Sequence, residues 1–204
     1  MRRFIWAVIL CGLAAWTANA EVVATTVVDG KIVHLNADRT WNFAEGAITQ
    51  NGRCMPLTSG FKFCAPATEW KTTSKLSHDA TLSLRHSDRD YLMVIAENIG
   101  AKVGISLDFM ASVAIDNAAV ALDIPKEQIP VYSVTESEVL EIPSRTMSYG
   151  LNIDGLEVVY LNTVAVTPDT SLQIITFHIG NEVGEKEKNL HQQALTYLKR
   201  TEDD

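Results

Sequence analysis

Residues 152–180 read NIDGLEVVYLNTVAVTPDTSLQIITFHIG. β-Branched and aromatic residues fill two runs, Leu156 to Thr167 and Ser171 to Ile179. Asn152-Ile153-Asp154-Gly155 precedes the first, and Pro168-Asp169-Thr170 separates the two. Runs bounded by such turn chemistry read as consecutive strands paired antiparallel. In the second run Ile175, Phe177 and Ile179 share one face, while Leu172, Ile174, Thr176 and His178 share the other, because side chains alternate across a strand. Both faces are therefore at least half buried, so the strand belongs inside a sheet.

Outward from this pair the chain alternates between strands and two helices. Upstream, after a proline-punctuated connector, Val139 to Ser148 predicts a third strand. Ser106 to Asp123, SLDFMASVAIDNAAVALD, predicts the strongest helix: Ser106 caps it, Asp108 suits its positive end and Pro125 stops it. Asp108, Ser112, Asp116 and Asp123 form one narrow polar stripe, so the wide apolar remainder needs cover on more than one side, from the C-terminal helix or from another molecule. Before that helix, the alternating Leu82 and Leu84 and the apolar run Tyr91 to Ala96 predict a hairpin turning at Ser87-Asp88-Arg89-Asp90, with its second strand interior. At the far end EKEKNLHQQALTYLKR predicts a one-sided helix with Leu190, Ala194, Tyr197 and Leu198 on its stripe. These elements predict a single α+β domain: a mostly antiparallel sheet with two main helices packed on it, and an N-terminal β-meander.

The meander is the stretch Val22 to Phe43. DGKIVHLNADRTWNF resembles a strand-turn-strand unit, DG-x-x-V-x-L-x-x-DGTW-x-Y/F, that recurs near the start of many exported bacterial proteins; Arg39 stands where that unit has glycine. Ala44 to Ser77 predicts loops and turns, given Pro66 and the density of Thr and Ser.

The first twenty residues, MRRFIWAVILCGLAAWTANA, have the layout of a secretory signal peptide: Arg2-Arg3, an apolar run, and small residues before a cut between Ala20 and Glu21. The run of about 13 residues is shorter than the roughly 17 to 25 of a spanning helix, so no membrane span is expected after cleavage. The expected destination is periplasmic or secreted, by the general export route. Cleavage leaves residues 21–204 and, with Arg2 and Arg3 gone, moves the net charge from −8 to −10. That acidity excludes nucleic acid as an expected partner, since phosphate binding needs a basic surface. It also leaves Cys54 and Cys64, ten positions apart, as an even pair in an oxidising compartment, where a structural disulfide is expected. Two-residue redox spacing is absent, and no histidine lies near enough to complete a zinc site.

The order FKFCAPATEW, hairpin, helix, NIDGLEVVYLNTVAV, turn, SLQIITFHIG and closing helix resembles the PsbP-like α/β sandwich, the fold of an extrinsic photosystem subunit and of many exported bacterial proteins. The likeness spans residues 60–199, after a stretch, 21–59, that holds the meander and the start of the cysteine loop, and before an acidic tail at 200–204. It implies that Gly155, Leu172 to Ile179 and Leu190 to Leu198 are architectural. It also implies an accessory or binding role without an active site or cofactor.

The residues themselves offer little chemistry. No nucleophile motif and no phosphate-cradling glycine pattern is present. Of the histidines, His34 and His178 read as packed strand residues, and His191 falls on the closing helix. His78 and His86 flank a strand and form, with Asp88 or Asp90, a candidate metal site set against the plainer reading of solvated strand ends. Asp88-Arg89-Asp90 reads as a turn rather than a calcium loop. Glu97, His86 and Asp90 are the candidates for a dispersed acid/base hydrolase site, and Trp41 and Trp70 read as plugs at the edge of a small core. The leading expectation is an exported non-enzymatic protein that binds a protein or cell-envelope component through a sheet face or the incompletely covered helix. The alternatives are the hydrolase and a metal-handling protein built on His78 and His86.

Overall fold

A computed structural model describes residues 22–28, 31–43, 53–58 and 60–202; the expected cleavage site at Ala20 and Glu21 lies outside them. The chain forms two units, Met1–Glu45 and Gly46–Asp204. In the first, β1 (Val22–Val28), β2 (Lys31–Asn36) and β3 (Trp41–Phe43) make an antiparallel meander in that order. Asp38 closes its second turn by accepting from the Thr40 N–H at 2.9 Å and the Thr40 hydroxyl at 2.6 Å. Arg39 sits there at a φ of 67°, the left-handed conformation that explains why the recurrent unit carries glycine at this point. Trp41 is 61% exposed, contrary to the expectation of a core plug, whereas Trp70 in the second unit is buried.

The second unit opens with a hairpin where the sequence predicted loop. β4 (Arg53–Thr58) and β5 (Phe61–Ala65) pair antiparallel around Gly60, whose φ is 105°. Pro56 disguises β4 as a loop, but β4 is an edge strand, where a missing N–H is tolerated. Next come β6 (Lys71–Thr72), β7 (Leu82–Arg85), β8 (Asp90–Glu97) and α1 (Leu107–Leu122). β9 (Val131–Val139), β10 (Ile142–Ile153), β11 (Leu156–Val166) and β12 (Ser171–Ile179) follow, then α2 (Glu185–Leu195) and β13 (Leu198–Arg200). Seven strands form one antiparallel sheet in the order β6-β7-β8-β12-β11-β10-β9, and β13-β5-β4 form a small second sheet.

Two boundaries differ from expectation. The strand read as Val139 to Ser148 begins at Ile142 and runs on to Ile153, and Val139 instead ends β9 in what read as connector, because Leu140 and Glu141 both take positive φ, 52° and 62°, and turn the chain. Such a turn ordinarily advertises itself by Asn-Gly, and Leu-Glu hides it. The closing helix stops at Leu195: the Thr196 hydroxyl bonds back to the Gln193 carbonyl at 2.7 Å, and Leu198–Arg200 pairs with β5 instead.

Residue parity along the sheet assigns its two faces. On one, Met147, Tyr149, Leu151 and Val164 pack against Met110, Ala114, Ala118 and Ala119 of α1. Small alanines let the helix approach closely, and each large side chain buried here contributes roughly 1.5–3 kcal/mol. On the same face Tyr91, Phe177, Tyr160 and Tyr149 stack across β8, β12, β11 and β10, with ring centroids 5.1, 5.3 and 5.2 Å apart. The opposite face meets α2 through Thr163 and Thr176. α1 and α2 therefore lie on opposite sides of the sheet, and the C-terminal helix does not supply the cover expected for α1. Ser106 caps α1 by accepting from the Phe109 N–H at 3.1 Å, and Asp123, at a φ of 53°, ends it.

Candidate functional site

The strand register sets Asp90, at the start of β8, opposite His178 of β12. Asp90 is 2% exposed, and its Oδ1 accepts from His178 Nδ1 at 2.6 Å. Its Oδ2 accepts from the Ser87 hydroxyl at 2.6 Å and from Lys186 Nζ at 3.2 Å. Glu187, from the first turn of α2, brings Oε1 to 3.9 Å from His178 Nδ1, while its Oε2 accepts from the Gly184 N–H at 3.0 Å. The α2 N-terminus is thereby tied to β8 and β12. Burial alone would push the Asp90 carboxyl up, but the hydrogen bonds from Ser87, His178 and Lys186 outweigh it and lower its pKa to about 2.

One imidazole and two carboxylates, with donor atoms within 4.8 Å of one another, are the right types for a transition-metal ion. Their present partners describe a clamp instead: both Asp90 oxygens are already hydrogen-bonded, one of them to an ammonium. Nor is this a catalytic dyad with its nucleophile. The nearby hydroxyl, Ser87 Oγ, donates to the Asp90 carboxylate rather than to the imidazole, so the serine–histidine bond of a nucleophilic triad is not made.

The dispersed acid/base site does not assemble. Asp90 and Glu97 occupy opposite ends of β8, roughly 23 Å apart at the usual rise per residue. Glu97 is exposed, accepting from Ser171 Oγ at 3.4 Å, and His86 is exposed with its ring 5.0 Å from that of Trp70. His78 lies on the surface 2.9 Å from Asp79, and neither it nor His86 belongs to a three-ligand group among the described residues. Asp88 pairs with Arg85 at 3.1 Å, as a turn residue. His34 pairs with Thr25 and Asn42 in the meander register.

His191 has a role that the sequence reading missed. It is 1% exposed, with Nε2 2.7 Å from Thr163 Oγ1 and Nδ1 2.9 Å from Thr176 Oγ1. Thr163 continues to Thr146 at 2.7 Å, and Thr146 to Ser137 at 3.0 Å, so a hydroxyl chain runs beneath α2 toward β9. Burial pushes the imidazole down to about 4, which keeps it neutral at neutral pH. The signal was its place on the helical stripe with Ala194 and Leu195.

A concave feature lies elsewhere among the described residues. Where α1 ends, a cleft of about 560 Å³ opens against β9, β10 and β11. Leu122, Ile124, Ile129, Leu151 and Ile153 supply its apolar wall, and Asp154 and Glu157 lie at the β10–β11 turn that borders it. Tyr132 reaches this wall over Gly150: a Cβ on Gly150 would meet the Tyr132 hydroxyl at 2.2 Å. The volume is in the range of small-molecule and side-chain sites.

No protein-family model and no curated protein matches the sequence. Among solved structures, PsbP of the cyanobacterium Synechocystis is similar over 77% of this chain and 97% of its own, at 14% identity and a TM-score of 0.53. A Bacteroides thetaiotaomicron protein matches 76% of this chain and 50% of its own, at 11% identity and a TM-score of 0.47. LpqN, involved in cell envelope biogenesis in Mycobacterium tuberculosis, matches 69% and 83%, at 10% identity and a TM-score of 0.46. The chain has the PsbP-like fold. Among the described residues no helix is long and apolar enough to cross a membrane.

Proposed function

We propose that this chain is an exported, non-enzymatic binding protein, which takes an apolar group of a protein or cell-envelope partner into the cleft at the end of α1. The observation that carries this reading is the cleft itself, an open concavity of about 560 Å³ with an apolar wall and a polar rim, set against titratable side chains that are committed to holding the fold together. Val120, next to Ala121 and Leu122 of the lining, stands 78% exposed and adds apolar surface at the same end of α1. The secretory leader read in residues 1–20 and the accessory character implied by the PsbP-like resemblance agree with it.

The test is affinity capture of envelope components on the purified protein, run in parallel with Val120→Asp and Asp90→Asn and with a screen of hydrolase substrates. A companion retained by the native protein and lost with Val120→Asp is the expected result. Hydrolytic turnover that disappears with Asp90→Asn would overturn it in favour of an enzyme.

A further inference from the structure

β9 ends the order of the large sheet, with β10 as its sole strand neighbour among the described residues. It is nine residues long, and every side chain from Val131 to Glu136 is exposed. Outward backbone groups on a sheet edge are a template for another strand, so edges are ordinarily blunted by lysine, proline, bulges or short length. β6, at the opposite edge, is two residues long. β9 has no lysine, arginine or proline, and its one irregularity falls near its start, where the pairing steps from Ser148 to Tyr149. At that end the strand meets the cleft, because Tyr132 belongs to both. Further along, Val134 and Glu136 stand opposite Met147, which packs under α1, and Arg145, which bonds to Asp108 of α1. Their parity therefore faces the side of the sheet on which the cleft opens. Tyr132 and Val134 lie uncovered there, 53% and 54% exposed. The charges around this surface share one sign. Glu136 and Glu138 are the charged side chains of β9, and Asp154 and Glu157 are those of the cleft lining, which holds no lysine or arginine. Arg145 offsets Glu136 at 2.8 Å but is shared with Asp108, so one carboxylate of that trio is left in excess.

We infer that β9 and the cleft together receive an extended segment of a partner protein, basic and apolar in composition, which adds to the large sheet as a further strand. The inference rests on the cleft reading proposed above and supplies the class of the partner and the manner of its docking. A ladder of backbone N–H and C=O groups recognises a polypeptide, and a pocket beside the ladder selects among its alternate side chains. Charge complementarity makes that polypeptide basic. An anionic lipid headgroup, or a second copy of this acidic chain of net charge −8, brings the wrong sign to carboxylates on both the edge and the cleft rim. Every second side chain of the added strand faces the α1 side. An apolar one enters the cleft beside Tyr132 and the next lies on Val134. Lysine or arginine reaches Asp154 and Glu157 past the cleft, and Glu138 at the far end of β9.

The test uses a labelled, end-blocked peptide of about nine residues. Its alternate side chains are lysine, lysine, leucine, leucine and lysine, with threonine between them, and binding to the purified protein is read by fluorescence anisotropy. Saturable binding at or below about 1 mM is expected, weakened about tenfold or more when glutamate replaces the lysines. Asp154→Asn with Glu157→Gln removes two charges and little else, because asparagine tolerates the Asp154 φ of 51°. That double variant should weaken binding about fivefold with an unchanged far-ultraviolet circular dichroism spectrum. Methylating the peptide nitrogens of alternate residues isolates strand addition, since only every second residue turns its N–H to a given neighbour. One phase of methylation should abolish binding and the other should retain it. Absence of binding by the lysine peptide, equal binding by its glutamate counterpart, or the same response to both methylation phases overturns the inference. Threonine in place of the leucines separates it from the cleft reading. Binding that needs the leucines but ignores the methylation phase overturns strand addition and leaves the cleft reading standing. Binding that follows the phase but ignores the leucines removes the cleft reading and leaves strand addition.

Discussion

His178 Nδ1 lies 2.6 Å from Asp90 Oδ1, and the pair joins β12 to the first residue of β8 beneath the N-terminus of α2. Asp90 has a folded pKa lowered from 3.8 to about 2, so its carboxylate contributes stability that is full above about pH 4 and lost as pH falls through about 2. The contribution is about 2 kcal/mol. Asp90→Asn should therefore lower stability to urea by about that amount at pH 7. The difference from the native protein should shrink between pH 4 and pH 2. A difference of constant size across that window would show that the carboxylate's charge plays no part.

His191 responds in a different window and for the opposite reason. Its folded pKa of about 4 lies below the unfolded 6.5, because burial penalises the imidazolium. Between those values the unfolded chain binds more protons, so stability falls as the solution is acidified from pH 6.5 toward 4, by roughly 3 kcal/mol at the lower end. His191→Gln retains one donor and one acceptor for Thr163 and Thr176. It should cost about 1 kcal/mol at pH 7 and flatten the decline, as read from urea midpoints at pH 7 and pH 4.5.

Both groups mark the limit of what the chain discloses in one dimension. Local signals made α1, β8, β11 and β12 legible: Ser106 and Pro125 bracket the helix, and apolar runs bounded by Ser-Asp-Arg-Asp, Asp-Gly or Pro-Asp mark the strands. The Asp90–His178 clamp was not legible, because it depends on β12 pairing with β8 across most of the unit, and nothing in either segment announces that register. β9 was missed because its exposed side chains carry no burial pattern, and because Leu140-Glu141 replaces the usual turn residues. The cleft is formed by three stretches, at residues 121–124, 128–132 and 150–157, and has no sequence signature.

α1 permits a sharp contrast between neighbours. Met110 is 4% exposed and packed with Tyr149 and Val164, so Met110→Asp buries an unpaired charge and should destabilise the protein by about 3 kcal/mol or more. Val120 is 78% exposed, and Val120→Asp should change stability by about 0.5 kcal/mol or less. Equal losses in thermal midpoint would mean that the outer arc of α1 is covered in the folded chain.

Cys54 and Cys64 are opposite in register on β4 and β5, and Cys64 gives its N–H to the Tyr197 carbonyl at 2.8 Å on the other side. They are therefore a non-hydrogen-bonded pair, the kind that brings cross-strand side chains closest. The structure joins them by a disulfide. Closing so short a loop stabilises by roughly 3 kcal/mol through the unfolded chain. Cys54→Ser with Cys64→Ser should lower the thermal midpoint accordingly, and a reducing agent should reproduce the shift in the native protein while leaving the double variant unmoved.

Gly150 decides whether the cleft keeps its tyrosine wall. An added methyl would stand 2.2 Å from the Tyr132 hydroxyl, the far end of a flexible side chain, so the ring would swing away rather than the strands part. Gly150→Ala should cost about 1 kcal/mol or less in stability, yet displace Tyr132 from the wall that it shares with Leu151 and Ile129. Tyr132→Phe, which removes only the hydroxyl, should leave the ring in place. If partner capture depends on the cleft, it should weaken with Gly150→Ala and persist with Tyr132→Phe. Equal capture by both variants would separate binding from this cavity, because the backbone around it is the same in each.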